Sequence, residues 1–169
     1  MHNLKAVTER CEQPAEVRIR PVEACHVADL IRLGLETNLS PWTAGCYLDE
    51  IKNIDSVLLR VIADGYSTAG FVAGRIVPAT EPQDGSDAEI YNIAVAEPLQ
   101  KQGLGQLLFD AFAGKCRRRD VGNIWLEVRE SNHKAIAFYE KNGFEPVQTR
   151  KHFYHDPREH AILMKLALK

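Results

Sequence analysis

The sequence predicts a single α/β domain: one mixed sheet of about seven strands with about four helices distributed over both faces. Three observations carry that expectation. The chain has 169 residues, the size of one domain with little left over for a second. Hydrophobic residues make up 45% and charged residues 26%, which supplies one sizeable core and excludes a disordered chain. The hydrophobic period alternates along the chain between that of strands and that of helices, in the order β-α-α-β-β-β-α-β-α-β-β.

Val17 to Val22 (VRIRPV) alternates apolar and basic residues and reads as a strand with one solvated face, so the domain starts near Glu16 and residues 1–15 form an extension. Val27, Leu30, Ile31, Gly34 and Leu35 then fall on one helical stripe, which Asn38 to Thr43 breaks. Thr43 is placed to cap a second helix through Tyr47, Leu48 and Ile51 that ends around Asn53. Ser56 to Ala63 and Gly70 to Val77 read as a hairpin across the turn-rich segment Asp64 to Thr68. Pro78 to Asp87 is all turn chemistry, and Ala88 to Val95 (AEIYNIAV) is a strand of buried type. Leu104, Leu107, Leu108, Ala111 and Phe112 form a second clean stripe on a helix that runs out near Arg119. Ile124, Leu126 and Val128 mark another strand, and Ala135, Ile136, Phe138 and Tyr139 a last helix closed by Asn142-Gly143. Phe144 to Tyr154 and Ala161 to Leu168 supply the last two strands.

Charge and composition narrow the function. Lys plus Arg number 21 against 23 Asp plus Glu, a net charge of −2, which argues against nucleic acid as the main ligand. The first seventeen residues carry charges throughout and lack an apolar centre of signal-peptide length, and no apolar run is long enough to span a membrane. A soluble, cytoplasmic protein is expected. Cys11, Cys25, Cys46 and Cys116 form no CxxC pair and read as small buried apolar residues, and the six histidines match no metal pattern, so no metal is expected.

The richest motif is Gln100-Lys101-Gln102-Gly103-Leu104-Gly105, between a strand and a helix. Unpaired backbone N–H groups and the positive helix end at such a turn bind anions, and glycines let the backbone approach a pyrophosphate. Glycine here also serves plain turn geometry. No Lys-Ser or Lys-Thr follows Gly105, which excludes a nucleoside-triphosphate P-loop, and Leu108 stands where a dinucleotide fold needs a third small residue. The loop does match [QR]-x-x-G-x-[GA], and with this signature and element order the chain resembles the GNAT superfamily of acetyl-CoA-dependent N-acetyltransferases. The resemblance covers about Val17 to Leu168. It implies a mostly antiparallel sheet splayed at a bulge, with the amides of Gln102, Gly103, Leu104 and Gly105 on the coenzyme A pyrophosphate and Gln100 and Lys101 beside them. It also implies that Ile93, Ala94 and Val95 offer a free strand edge to the pantetheine arm, as a bulge that interrupts a ladder would allow.

Two stretches, NIAVAEPLQKQGLG and WLEVRESNHKAIAFYEKNGF, are similar to the RimI-like branch that acetylates the N-terminal alanine of a small-subunit ribosomal protein. By that resemblance Glu127 is the general base, Tyr139 the general acid and Asn132 a coenzyme contact. The chemistry needs this division of labour, because an amine attacks a thioester only when unprotonated and the leaving thiolate must be protonated. A buried setting between Leu126 and Val128 is expected to raise the Glu127 pKa. The oxyanion of the tetrahedral intermediate is expected on a backbone N–H of the bulged strand around Val95. The plain alternatives are a Glu127 paired with Arg129 or a cross-strand base, a Tyr139 that is a core aromatic and an Asn132 that only caps a helix.

On the acceptor side, Pro41-Trp42 and Arg150 to Tyr154 resemble the same branch, which implies that Trp42 and Tyr154 line the peptide entrance. His160 departs from it, standing where an acidic residue is usual. The run Lys115, Arg117, Arg118 and Arg119 either holds the ribose phosphate or is a solvated helix end. The expected partners are acetyl-CoA and a protein N-terminus. The alternatives are an acetyltransferase for a small amine (polyamine, amino sugar, amino acid or drug) and a non-catalytic acyl-CoA sensor, the last disfavoured by the retention of Glu127 and Tyr139.

Overall fold

The computed structural model describes residues 17–79 and 85–168. The extension at 1–15, the domain start at Glu16, Cys11 and part of the Pro78 to Asp87 turn lie outside them. The strands are β1 (Arg18–Pro21), β2 (Ser56–Ala63), β3 (Tyr66–Val77), β4 (Ser86–Val95), β5 (Val121–Arg129), β6 (Glu145–His155) and β7 (Arg158–Ala167). The helices are α1 (Val27–Glu36), α2 (Ala44–Lys52), α3 (Leu104–Arg117) and α4 (His133–Lys141). One seven-stranded sheet has the order β1-β2-β3-β4-β5-β7-β6. Only β4 and β5 run parallel, across the α3 crossover; the other neighbours are antiparallel.

Local chemistry sets the helix ends. Thr43 Oγ1 accepts from the Cys46 amide at 3.3 Å, and Asn132 Oδ1 accepts from the Ala135 amide at 3.1 Å, each satisfying one orphan donor of a first turn. Gly143 closes α4 at φ +88°. The hairpin turn between β2 and β3 is shorter than the run of turn residues implied: Asp64 and Gly65 both have positive φ, as a two-residue turn requires, and β3 begins at Tyr66.

Helices cover both faces. Phe71 meets Tyr47 of α2 edge-on at 6.0 Å, and Arg75, four residues on, is paired with Glu50 of the same helix. On the opposite face, α3 presses the fully buried Phe112 onto Gly74. Two stripes sit differently from their sequence reading. In α1 Leu33 is buried while Leu35 is 71% exposed, and in α3 Phe109 is buried while Leu107 is 43% exposed. A stripe wider than its contact leaves one edge uncovered, and the last turn of α1 hangs beyond the sheet at the mouth of a cleft. Cys116 is buried as expected; Cys25, in the short turn of 3-10 helix just before α1, and Cys46, in the first turn of α2, are exposed.

The feature that makes the cleft lies in β4. Ala73 pairs with Asn92 and Gly74 with Ile90, so Tyr91 is an extra residue opposite no partner. A Cβ on Gly74 would stand 2.3 Å from the Glu89 carbonyl oxygen and 2.6 Å from the Phe112 ring, so only glycine permits this approach at the bulge. On its other side β4 pairs with β5 only as far as Ile90–Leu126, whereas β5 stays paired with β7 to Arg129–Ala161. The two parallel strands part at the bulge.

Candidate active site

The gap between the parted strands opens into a cleft of about 840 Å³. One wall is the freed end of β4, Ile93, Ala94 and Val95. The Ala96 amide donates to Ala69 on β3, and strand alternation then turns the N–H groups of Ile93 and Val95 away from β3 and into the gap. Gln100 Nε2 donates to Val95 O at 3.0 Å, which takes that carbonyl and leaves the amides.

The loop forms the floor, with Gln100, Lys101, Gly103 and Gly105 lining the cleft. Lys101 and Gly103 are left-handed, at φ +62° and +84°, so successive peptide N–H groups converge as in an anion-binding nest before α3 begins. Among the described residues, the amides of Lys101, Gln102 and Gly103 donate to no protein acceptor. An added Cβ on Gly105 would come no closer than 3.9 Å to its neighbours, so the missing side chain leaves room in the cleft rather than relieving a clash. Backbone, not side chains, does the work here: Leu104 is buried in the core, and the Gln102 side chain donates to Pro98 O at 3.2 Å.

The opposite wall is α4. Asn132, Ala135, Phe138 and Tyr139 line the cleft together with Lys134 and Lys141. Tyr139 is 6% exposed and packs against Phe138 and Phe144, each at 5.4 Å. Burial first, and then Tyr154, push its phenol well above the ordinary value, so it stays protonated and able to donate.

Glu127 is the first residue of β5 beyond the last rung with β4, and its side chain is 16% exposed. It is not the solitary buried carboxylate its strand position implied. Its Oε1 accepts from Arg150 of β6, an ion pair formed across β7. Arg129, the other sequence candidate, pairs instead with Glu159 at 3.3 Å. Beside Glu127 stands Glu89 of β4, whose carboxyl is raised by its own burial and then by the Glu127 charge, with Arg150 and Arg75 opposing. Glu89 makes no ion pair among the described residues.

Trp42 and Tyr154 lie outside the cleft lining. Trp42 packs on Tyr47 at 5.2 Å and on the bulge residue Tyr91 at 5.6 Å. Tyr154 lies under the Arg129 guanidinium, 4.1 Å from its ring centroid, and burial and then Glu127 raise its phenol. The structure thus gathers Gln100, Lys101, Gly103, Gly105, Ile93 to Val95, Asn132 and Tyr139 around one cleft, and leaves Gln102, Leu104, Glu127, Tyr154 and Trp42 outside its lining. The basic run is elsewhere: Lys115 and Arg118 line a separate 290 Å³ hollow against β1, and Arg119 pairs with Asp55 at 2.5 Å.

Sequence reasoning missed the strip Glu36 to Leu39 at the end of α1, and Gln106, Lys134 and Lys141, all of which line the cleft. It also missed Glu89 and Tyr91. Their alternation with Ile90 and Asn92 in AEIYNIAV is the signal that puts both beside Trp42 and Glu127.

Parallel strands that part at a bulge beside an amide-lined glycine loop define a coenzyme-A-dependent acyltransferase. Residues 27–144 match the Acetyltransferase (GNAT) family, and the chain belongs to it. It is 32% identical over 151 residues, 86% of this chain and 95% of the relative, to the ribosomal protein bS18-alanine N-acetyltransferase of Haemophilus influenzae. It is 43% identical over 84 residues to the Escherichia coli K12 enzyme of the same name, a match spanning 48% of this chain and 57% of that protein. The crystal structure of the Escherichia coli ribosomal-protein-S18-alanine N-acetyltransferase superposes with a TM-score of 0.77 at 29% identity, covering 91% of this chain and 95% of that one. The chain is an acetyl-CoA-dependent N-acetyltransferase with a GNAT fold. None of its described helices is long and apolar enough to cross a membrane.

Proposed function

We propose that residues 16–169 act as one catalytic domain that transfers the acetyl group of acetyl-CoA to the N-terminal α-amine of a protein, such as a ribosomal protein, by direct attack in a ternary complex. The observation that carries this reading is the likeness, over 86% of the chain, to an enzyme named for an alanine N-terminus of a ribosomal protein. A ribosomal acceptor places the reaction in the cytoplasm.

In this reading the amides of Gln102, Gly103, Leu104 and Gly105, with Gln100 and Lys101 beside them, hold the pyrophosphate, and the N–H groups turned into the gap at Ile93 and Val95 hold the pantetheine arm. The Val95 amide also faces the charge that develops on the thioester oxygen. The acceptor enters from the far end between Trp42 and Tyr154. Its ammonium gives a proton to Glu127, directly or through a water, once Arg150 yields the carboxylate. The free amine attacks the thioester carbon, the tetrahedral intermediate collapses with cleavage of the C–S bond, Tyr139 gives its proton to the departing sulfur, and the second proton shed by the nitrogen as the amide forms restores the phenol. Asn132 caps α4 and so aims Tyr139, besides touching the coenzyme.

The test is coenzyme A release with a panel of peptides beginning Ala, Ser, Met or Gly, alongside small amines, with the product located by mass spectrometry. Acetyl groups on the peptide α-amine support the reading. Turnover confined to small amines overturns the acceptor while leaving the transferase chemistry intact.

A further inference from the structure

The hairpin of β6 and β7 extends past the end of β5, and its far half is irregular: Arg150 pairs with Ala161 and Tyr154 with Glu159, so residues 151–153 face His160 alone. The His152 amide donates to His160 Nδ1 at 3.1 Å across this bulge. Such a loosened overhang carrying an aromatic residue toward a reaction site needs an anchor. The last residue of β5 supplies one. Arg129 donates through Nη2 to Asp156 O at 3.0 Å and through Nη1 to Pro157 O and Glu159 Oε2, each at 3.3 Å, while its guanidinium covers the Tyr154 ring. Glu159 in turn accepts from the Ser131 amide at 2.5 Å, one residue before the Asn132 cap of the helix that carries Tyr139. The two side chains are only 17% and 14% exposed, so this is a sheltered pair with both carboxylate oxygens and both terminal guanidinium nitrogens engaged, a geometry in which ion pairs hold position.

We propose that the Arg129–Glu159 pair is a positioning device for the acceptor, tying the tip of the β6–β7 hairpin, and with it Tyr154, to the loop that starts α4. It rests on the reading of Glu127 as base. The hairpin's other charged tie is Arg150 to Glu127, which is released when Glu127 takes the amine's proton. Arg129 then holds Tyr154 in place alone. Its planar fork reaches two turn carbonyls, a carboxylate and a ring face together, which a lysine cannot do.

The experiment compares the wild-type enzyme with Arg129→Met, Arg129→Lys, Glu159→Gln and the Arg129→Met/Glu159→Gln double variant, using whichever acceptor the wild type turns over, peptide or small amine. A failure of the peptide reading then shows in the wild-type acceptor panel and leaves this comparison intact. Arg129→Met is expected to lower kcat/KM for the acceptor by roughly tenfold or more, as a misplacement of about an ångström does, with the acetyl-CoA KM unchanged. Arg129→Lys should fall between it and wild type, and the double variant should be no worse than Arg129→Met, because the partners act as one unit. An unchanged acceptor kcat/KM, an acetyl-CoA KM that rises in step with the loss, or additive losses in the double variant would each overturn the proposal. If Arg129→Met does not fold, the split between acceptor and acetyl-CoA KM in Arg129→Lys and Glu159→Gln decides.

Discussion

Ile90 and Leu126 form the last rung between β4 and β5, one residue before the bulge at Tyr91 and one before Glu127. The site therefore begins where the ladder ends: the device that frees the strand edge also brings the proposed base to the fork. Four consequences follow for experiment, beyond the test of the hairpin anchor.

In the proposed reading the space over Gly105 is taken by the ligand. Gly105→Ala meets nothing closer than ordinary van der Waals contact, and alanine is the better helix former, so thermal stability should be unchanged or slightly higher. Acetyl-CoA affinity by titration calorimetry should hold as well, since the loop signature admits Ala here, whereas the larger side chain of Gly105→Leu reaches into the pyrophosphate's approach and should lower affinity by about tenfold or more. Unaltered affinity in Gly105→Leu would move the coenzyme off this loop.

Glu127→Gln keeps the shape of the side chain and its acceptor for Arg150 but cannot take a proton. Its kcat should drop by about a hundredfold, within the usual range for a general base, while acetyl-CoA binding stays as in wild type. A kcat equal to that of the wild type would remove Glu127 from the chemistry.

Tyr139 stays protonated through the working pH range because burial raises its phenol. The kcat of the wild type should accordingly show no alkaline loss from this group below about pH 10, the ordinary tyrosine value. Tyr139→Phe should lower kcat across the whole profile without shifting its limbs; a variant with wild-type turnover at every pH rules out the acid role.

Glu89 offers a pH-dependent stability test. Its carboxyl is raised in the folded protein, mainly by burial and then by Glu127, so the folded state binds its proton more tightly than the unfolded chain does. Its contribution is most favourable below the ordinary carboxylate range and is lost as pH rises through the raised value. Glu89→Gln should therefore raise Tm at pH 7 to 8, and the gain should fade in melts recorded toward pH 4. A gain of the same size at both ends would mean that the charge is not the cause.

The parts legible in the sequence are those set by near neighbours. Thr43 and Asn132 as caps, the Gly143 stop and the glycine loop each depend on residues within three or four positions, so local propensity and spacing suffice. Element order and the two-faced sheet follow from periodicity. The exposed Leu35 and Leu107 show its limit, because a stripe records which residues are apolar and not how far the covering element extends. Of the fourteen site residues that the resemblance implied, nine line the cleft, and Gln102, Leu104, Glu127, Trp42 and Tyr154 do not.

By itself the sequence determined the α/β fold and the acetyltransferase class, and it supplied the strand-loop-helix turn, Glu127 and Tyr139 as the proposed anion site, base and acid. Tertiary structure alone decided where β4 leaves β5, that Arg150 engages Glu127 from 23 positions away, and that Arg129 reaches Glu159 from 30. The physical reason is range. Capping and periodicity act within a turn or two of chain, whereas the partner of a charge in a sheet is chosen by strand order and register, which emerge only when the whole core packs.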